Sequence, residues 1–164
     1  MKTKITNAKA ADLLEILSKA SQQKKMPLKF CIARNIKMLQ EPVKAYMEAK
    51  EALFKEAVVL DDEGNGVPKE EFREVVKELG GRVAYSMFEY TGEAEEKAFF
   101  EKLKEINNEE LDIEFVTEKA ARVIKVSNEK GDYENSTIQE VLEDPNNEIT
   151  PALITLFLEY FLEM

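Results

Sequence analysis

From Leu28 to Leu60 the apolar residues recur every three or four positions, at Ile32, Ile36, Leu39, Val43, Tyr46, Leu53 and Ala57. Nothing else in the chain constrains the fold as strongly, because such a repeat holds one side of a helix against a partner along its whole course. The spacing predicts a long helix. Lys50 interrupts its seam, and Pro42 removes one backbone hydrogen bond, which predicts a kink or break near 38–42. The seam packs either on the rest of the chain or on a second copy. The lysine within it and the small number of repeats favour the first.

The flanking sequence supplies shorter elements. "KTKIT" (2–6) alternates as a short edge strand does, and Thr6 or Asn7 can cap a helix over 8–22 with Ala10, Leu13, Leu14 and Leu17 on one face. "SQQKKMP" (21–27) reads as a connector. After the long helix come a turn at 61–66, a helix over 69–79 ended by the glycines at 80–81, and a strand over 82–90. Thr91 is the expected cap of a helix over 93–107 that buries Phe99, Phe100, Leu103 and Ile106. "LDIEFVT" (111–117) alternates as a half-buried strand, and 120–126 either pairs with it or continues as helix. Residues 127–136 read as a polar loop, "STIQ" (136–139) as a capping box opening a short helix, and "EDPNN" as a turn. Thr150 and Pro151 suit the cap and first turn of a last helix. Leu153, Ile154, Leu156, Phe157, Leu158, Tyr160, Phe161 and Leu162 spread around nearly all of that helix. It therefore runs through the core, or else one face, with Leu153, Phe157, Tyr160 and Phe161, serves self-association. Together these readings predict an α+β fold, predominantly helical, with a long second helix, a few short antiparallel strands and an apolar C-terminal helix.

At 164 residues, 44% hydrophobic and 34% charged, the expectation is one domain over 1–164 that folds without a disulfide or a metal. No apolar run reaches the length of a membrane span, and the opening residues lack the core of a signal peptide. With Cys31 the only cysteine, this predicts a reducing cytoplasm. The chain has no histidine, which removes the commonest general base and the commonest zinc ligand and leaves no Ser-His-Asp or Cys-His nucleophile. The expectation is a non-enzyme, with no catalytic residue, no metal ligand and no cofactor assigned.

"LDDEGNGVPKEEF" (60–72) is the one stretch that spells a cation site. Counted from Asp61, an EF-hand loop would place ligands at Asp61, Glu63 and Asn65, with Gly66 at the sixth position. The pattern then fails, because the twelfth position is Phe72 instead of a bidentate glutamate and the eighth is Pro68. A turn explains the same letters, since Asp, Asn and Gly supply local caps and positive φ angles.

Charge is uneven along the chain. Residues 1–40 hold nine Lys/Arg and two Asp/Glu, and residues 41–164 hold 14 and 31, within a net charge of −10. Lys24, Lys25, Lys29, Arg34 and Lys37 form the one positive cluster. Its nearest aromatic, Phe30, is expected to face the core, so direct nucleic-acid binding is not expected. Acidic runs occur at Asp61–Glu63, Glu93–Glu96, Glu109–Glu114 and Asp132–Glu134. Asp61, Asp62, Glu63, Glu93, Glu95, Glu96, Glu109 and Glu110 are the candidate partner-binding residues, directed at a basic protein surface.

Three stretches together resemble a group of small tailed-phage proteins of unknown function. They are the opening through "KAYMEAKEAL", the "DDEGNG" turn, and "NNEELDIEFVTEK" followed by "EITPALITLFLEYFLEM". The resemblance implies a phage or prophage source and a bacterial cytoplasm, and it carries no catalytic residues. The expected function is an acidic protein that binds and occludes a host protein, such as a nucleic-acid-handling defence enzyme (an anti-CRISPR or anti-restriction role). The alternative is a virion-assembly protein that forms a homodimer through its last helix.

Overall fold

A computed structural model describes residues 2–22, 28–80, 83–127, 130–145 and 149–164. The chain is α+β and predominantly helical, with a long second helix and short strands. It divides into two compact units. The first comprises Met1–Val43 and Glu110–Met164, and the second Lys44–Glu109. The long helix, α2 (Lys29–Ala57), runs unbroken past Pro42 and gives its first half to the first unit and its second half to the other. The predicted break is therefore absent. Buried Leu39 and Val43 lie on either side of the proline, so packing holds the helix where one backbone bond is missing.

In the first unit β1 (Thr3–Thr6) pairs antiparallel with β2 (Glu110–Ile113), placing Lys4 opposite Asp112. The strand passes directly into α1 (Asn7–Ser21), because the Thr6 hydroxyl accepts the Lys9 amide at 3.2 Å and so caps the first turn. α1 buries Ala10, Leu13, Leu17 and Ala20 against Ile32, Leu39 and Val43 of α2, in one core with Ile5, Ile113 and Phe115. The seam of α2 is thus covered from within the chain.

Asn35 is a polar residue within this unit and is fully buried. Its side-chain amide donates to the Val116 carbonyl at 2.9 Å, and its side-chain oxygen accepts the Val116 amide at 2.8 Å. One side chain thereby satisfies both backbone groups of a residue that has left β2. The Cys31 thiol also donates to Val116, and burial pushes it up to about 11.

After β3 (Glu118–Lys119), β4 (Val123–Ser127) and β5 (Tyr133–Thr137) form an antiparallel hairpin. This corrects two expectations. Residues 133–136 are strand instead of loop, because pairing with Val- and Ile-rich β4 outweighs their weak strand propensity. Segment 120–126 pairs with them and not with β2. The capping box lies one residue later than "STIQ" suggests, with Thr137 and Glu140 exchanging bonds at the start of α5 (Ile138–Glu143). The Thr137 amide and then the Ser136 hydroxyl hold the Glu140 carboxyl below its usual range.

The last helix is shorter than expected. α6 (Pro151–Leu156), capped by Thr150, widens into a π turn over Phe157–Phe161 and ends in β6 (Leu162–Glu163), which lies parallel to β3. Phe157 and Phe161 both enter the core and meet edge to face at 5.5 Å. The "EDPNN" turn falls partly on 146–148, outside the described residues, as do most of the 21–27 connector and Gly81.

The second unit is built differently. After α2, three short segments meet in a closed ring of backbone hydrogen bonds: Val59 N–H donates to Glu89 O, Glu89 N–H to Val67 O, and Val67 N–H to Val59 O, at 2.8–2.9 Å. Isolated bridges Val58–Tyr90, Leu60–Gly66 and Pro68–Phe88 flank it. The expected strand over 82–90 is instead a 3₁₀ turn (Tyr85–Met87) leading into this ring, and Arg82 lies outside the described residues. A 3₁₀ turn (Glu70–Phe72) runs into α3 (Arg73–Leu79), which ends at Gly80 with φ +60°. α4 (Glu93–Asn108) begins at Gly92. Thr91 is not its cap, because its hydroxyl donates back to Ala57 O at the end of α2. The interior is aromatic, with Phe54, Tyr85, Phe88, Tyr90 and Phe99 in contact at centroid separations of 5.0–6.4 Å. Gly66 fits against Phe54 and Phe88 so closely that a Cβ there would lie 3.0 Å from one ring and 3.1 Å from the other.

Candidate functional site

The 60–66 stretch is a hairpin tip closed by the antiparallel bridge between Leu60 and Gly66. The Asp61 amide donates to Asn65 O at 2.8 Å, the Gly64 amide donates to Asp61 O at 3.1 Å, and Gly64 takes φ +81°. One oxygen of the Asp61 carboxylate, Oδ1, accepts the backbone amides of Glu63 and Asn65, both at 2.9 Å. The aspartate expected to lead a cation loop therefore caps the turn itself. Asp62 and Glu63 project into solvent from the same tip.

Glu93, Glu95 and Glu96 all lie in the first turn of α4, where the unpaired amides of a helix N-terminus favour negative charge. The Glu95 carboxylate folds back over Gly92 and fills the space that a side chain there would need. Half-buried Glu96 faces the Lys69 ammonium at 4.0 Å. Glu109 sits at the other end of α4, about 24 Å along a helix of this length. Glu110 belongs to β2 of the first unit, opposite Thr6. The eight predicted acidic residues thus do not form one patch. Asp61, Asp62 and Glu63 lie at the hairpin tip, Glu93, Glu95 and Glu96 open α4, Glu109 follows its last residue, and Glu110 starts β2.

The self-association candidates are corrected by burial. Leu153, Phe157 and Phe161 are core residues of the first unit, and half-buried Tyr160 packs beside Phe115 at 5.7 Å. Burial, reinforced by Glu159, pushes the Tyr160 phenol up to about 12. Leu158, on the outer side of the π turn, and Met164 are the exposed large apolar residues of this segment.

Folding also redistributes the charge that the sequence displays. The basic opening stretch joins the acidic C-terminal segment in the first unit, which carries 13 Lys/Arg against 16 Asp/Glu. The second unit keeps 10 against 17, a net −7. Within it Lys50 lies over the Tyr46 ring at 4.6 Å, and burial lowers its affinity for a proton. The Tyr90 hydroxyl donates to Tyr85 O at 2.8 Å, and burial followed by the nearby Glu96 raises its pKa. The Tyr90 phenol remains protonated and serves as a packing group with one polar anchor.

Phe30, expected in the core, is 83% exposed. It lies in the first turn of α2, where Cys31 and Ile32 point inward and the helix turns Phe30 out. Helical spacing alone holds the signal, since Phe30 is out of step with Ile32, Ile36 and Leu39.

No family model, curated protein or solved structure matches the chain. Among the described residues no helix is long and apolar enough to cross a membrane, and no three Asp, Glu or Cys side chains are grouped to hold a metal ion.

Proposed function

We propose that the protein is a non-enzymatic binding protein whose second unit covers a basic face of another protein. The observation that carries this reading is the net −7 of that unit, with Asp62, Glu63 and Glu93 exposed at the hairpin tip and the start of α4. Opposite charge steers and registers such a contact, and salt weakens it. A partner of matching chemistry is a nucleic-acid-handling enzyme, whose phosphate-binding cleft is basic, and a host defence enzyme is of this kind. The protein would act by occlusion, filling the cleft with carboxylates where phosphates would lie.

The test is capture on the tagged, full-length chain from nuclease-treated lysate of the bacterial host, washed at low and then high salt, with retained proteins identified by mass spectrometry. The expected result is a basic nucleic-acid enzyme held at low salt, released at high salt, and not captured by Asp62→Asn/Glu63→Gln/Glu93→Gln. Capture that survives both high salt and these substitutions overturns the reading. Retention of virion proteins alone would move the function to assembly.

A further inference from the structure

Asn65 and Gly66 are the one Asn-Gly pair of the chain, and they stand at the base of the hairpin tip. Packing requires the glycine, because a Cβ there would meet the Phe54 and Phe88 rings at 3.0 and 3.1 Å. Asn65 serves the fold through its main chain alone. Its amide donates to Asp61 Oδ1 at 2.9 Å, and its carbonyl accepts the Asp61 amide at 2.8 Å. The residue is exposed, and its carboxamide has no hydrogen bond among the described residues.

The Gly66 amide is equally unengaged. The bridge between Leu60 and Gly66 is of the wide antiparallel kind, whose bonds are made by the neighbours, Asp61 N–H to Asn65 O and Val67 N–H to Val59 O. The Gly66 N–H therefore stays outside the ladder and enters no hydrogen bond among the described residues. An asparagine carboxamide and the next main-chain nitrogen are an electrophile beside a nucleophile. A side chain on that next residue hinders their approach, and glycine has none. A hydrogen bond holding the nitrogen in place would hinder it too.

We propose that Asn65 is a self-modification site, converting in the folded chain to aspartate or isoaspartate through a succinimide with Gly66. The Gly66 nitrogen bonds to Asn65 Cγ, the Cγ–Nδ2 bond breaks, and ammonia leaves with the proton that the Gly66 nitrogen gives up. Water then opens the ring. Addition at Cγ gives aspartate, and addition at the main-chain carbonyl carbon gives isoaspartate. Nothing is oxidised or reduced, and water is the only co-reactant. Either product adds one negative charge beside Asp61, Asp62 and Glu63. Aspartate keeps both main-chain bonds to Asp61. Isoaspartate lengthens the main chain by one carbon and displaces the carbonyl that the Asp61 amide uses. The step needs no partner, so it stands or falls separately from the binding function proposed above.

The test is incubation of the purified full chain at neutral and mildly alkaline pH, followed by peptide mapping that separates the aspartate and isoaspartate forms at position 65. The same chain in denaturant gives the unrestrained rate. Loop tips open at little free-energy cost, so the folded chain should convert within ~10-fold of that rate. Both products should form, the rate should rise with pH, and position 65 should outpace Asn135, which precedes serine in paired β5. Asn65→Gln should remove the reaction while circular dichroism stays unchanged. Conversion in denaturant alone overturns the proposal, since the fold then protects the pair. So does equal conversion at Asn135, or aspartate formed without isoaspartate, which would bypass the ring.

Discussion

The two units reach stability by different means. The first packs Leu13, Leu17, Ile32, Leu39 and Leu153 with Phe157 and Phe161, all nearly or completely excluded from water. In the second, the buried residues are Tyr46, Ala57, Val58, Phe88 and Phe99. Much of its order comes from ring pairs and backbone hydrogen bonds, and α3 contributes no buried side chain. The first unit is a conventional core, and little of its acidic charge is in excess. The second carries more net charge over less interior. Local stability follows buried apolar contact, so the second unit should open more readily.

Substitutions that break this contrast should differ in size. Phe157→Ala removes a fully buried ring from the first core and should cost ~3–5 kcal/mol, read from denaturant unfolding. Amide exchange should then rise throughout the helices of that unit. Gly66→Ala pushes a methyl group between Phe54 and Phe88 and should cost ~1–3 kcal/mol, with lost protection confined to 44–109. Equal loss of protection in both units would show that they open as one. Thr137→Ala removes the α5 cap and should cost ~1 kcal/mol.

A last effect appears only in alkali. The Cys31 thiol titrates at about 11 in the folded chain against 9.0 for an ordinary thiol, so the unfolded chain gives up its proton first. Stability should therefore be intact below pH 9 and decline as pH rises from 9 towards 11. Cys31→Ser should flatten that slope in a thermal melt recorded across the same range. A thiol reagent at neutral pH should react at the rate at which the first unit opens.

The sequence displayed helices more clearly than the contacts between strands. The 3-4 spacing from Ile32 to Ala57, the Thr6 and Thr150 caps and the apolar last segment each act within a few residues, and they can be read directly. The pairing of β4 with β5 depends on partners across a turn, and "GDYENS" alone has the composition of a loop. Phe88 and Tyr90 enter isolated bridges because Val58 and Pro68 are there to receive them, which a local pattern cannot convey. The acidic candidates were legible as charges but not as places. The sequence sets Glu109 beside Glu110, yet Glu109 caps the end of α4 while Glu110 starts β2, and they belong to different units. Phe30 has apolar neighbours in sequence, Cys31 and Ile32, but its phase on the helix differs from theirs and turns it outward.

The backbone ring of Val59, Val67 and Glu89 has a consequence for solubility. Each of these residues both donates and accepts within the ring, so their amides and carbonyls offer nothing to an incoming strand. Free strand edges invite templated stacking of chains. Closing three short segments on one another leaves the amides and carbonyls of Val59, Val67 and Glu89 unavailable to template a neighbouring chain.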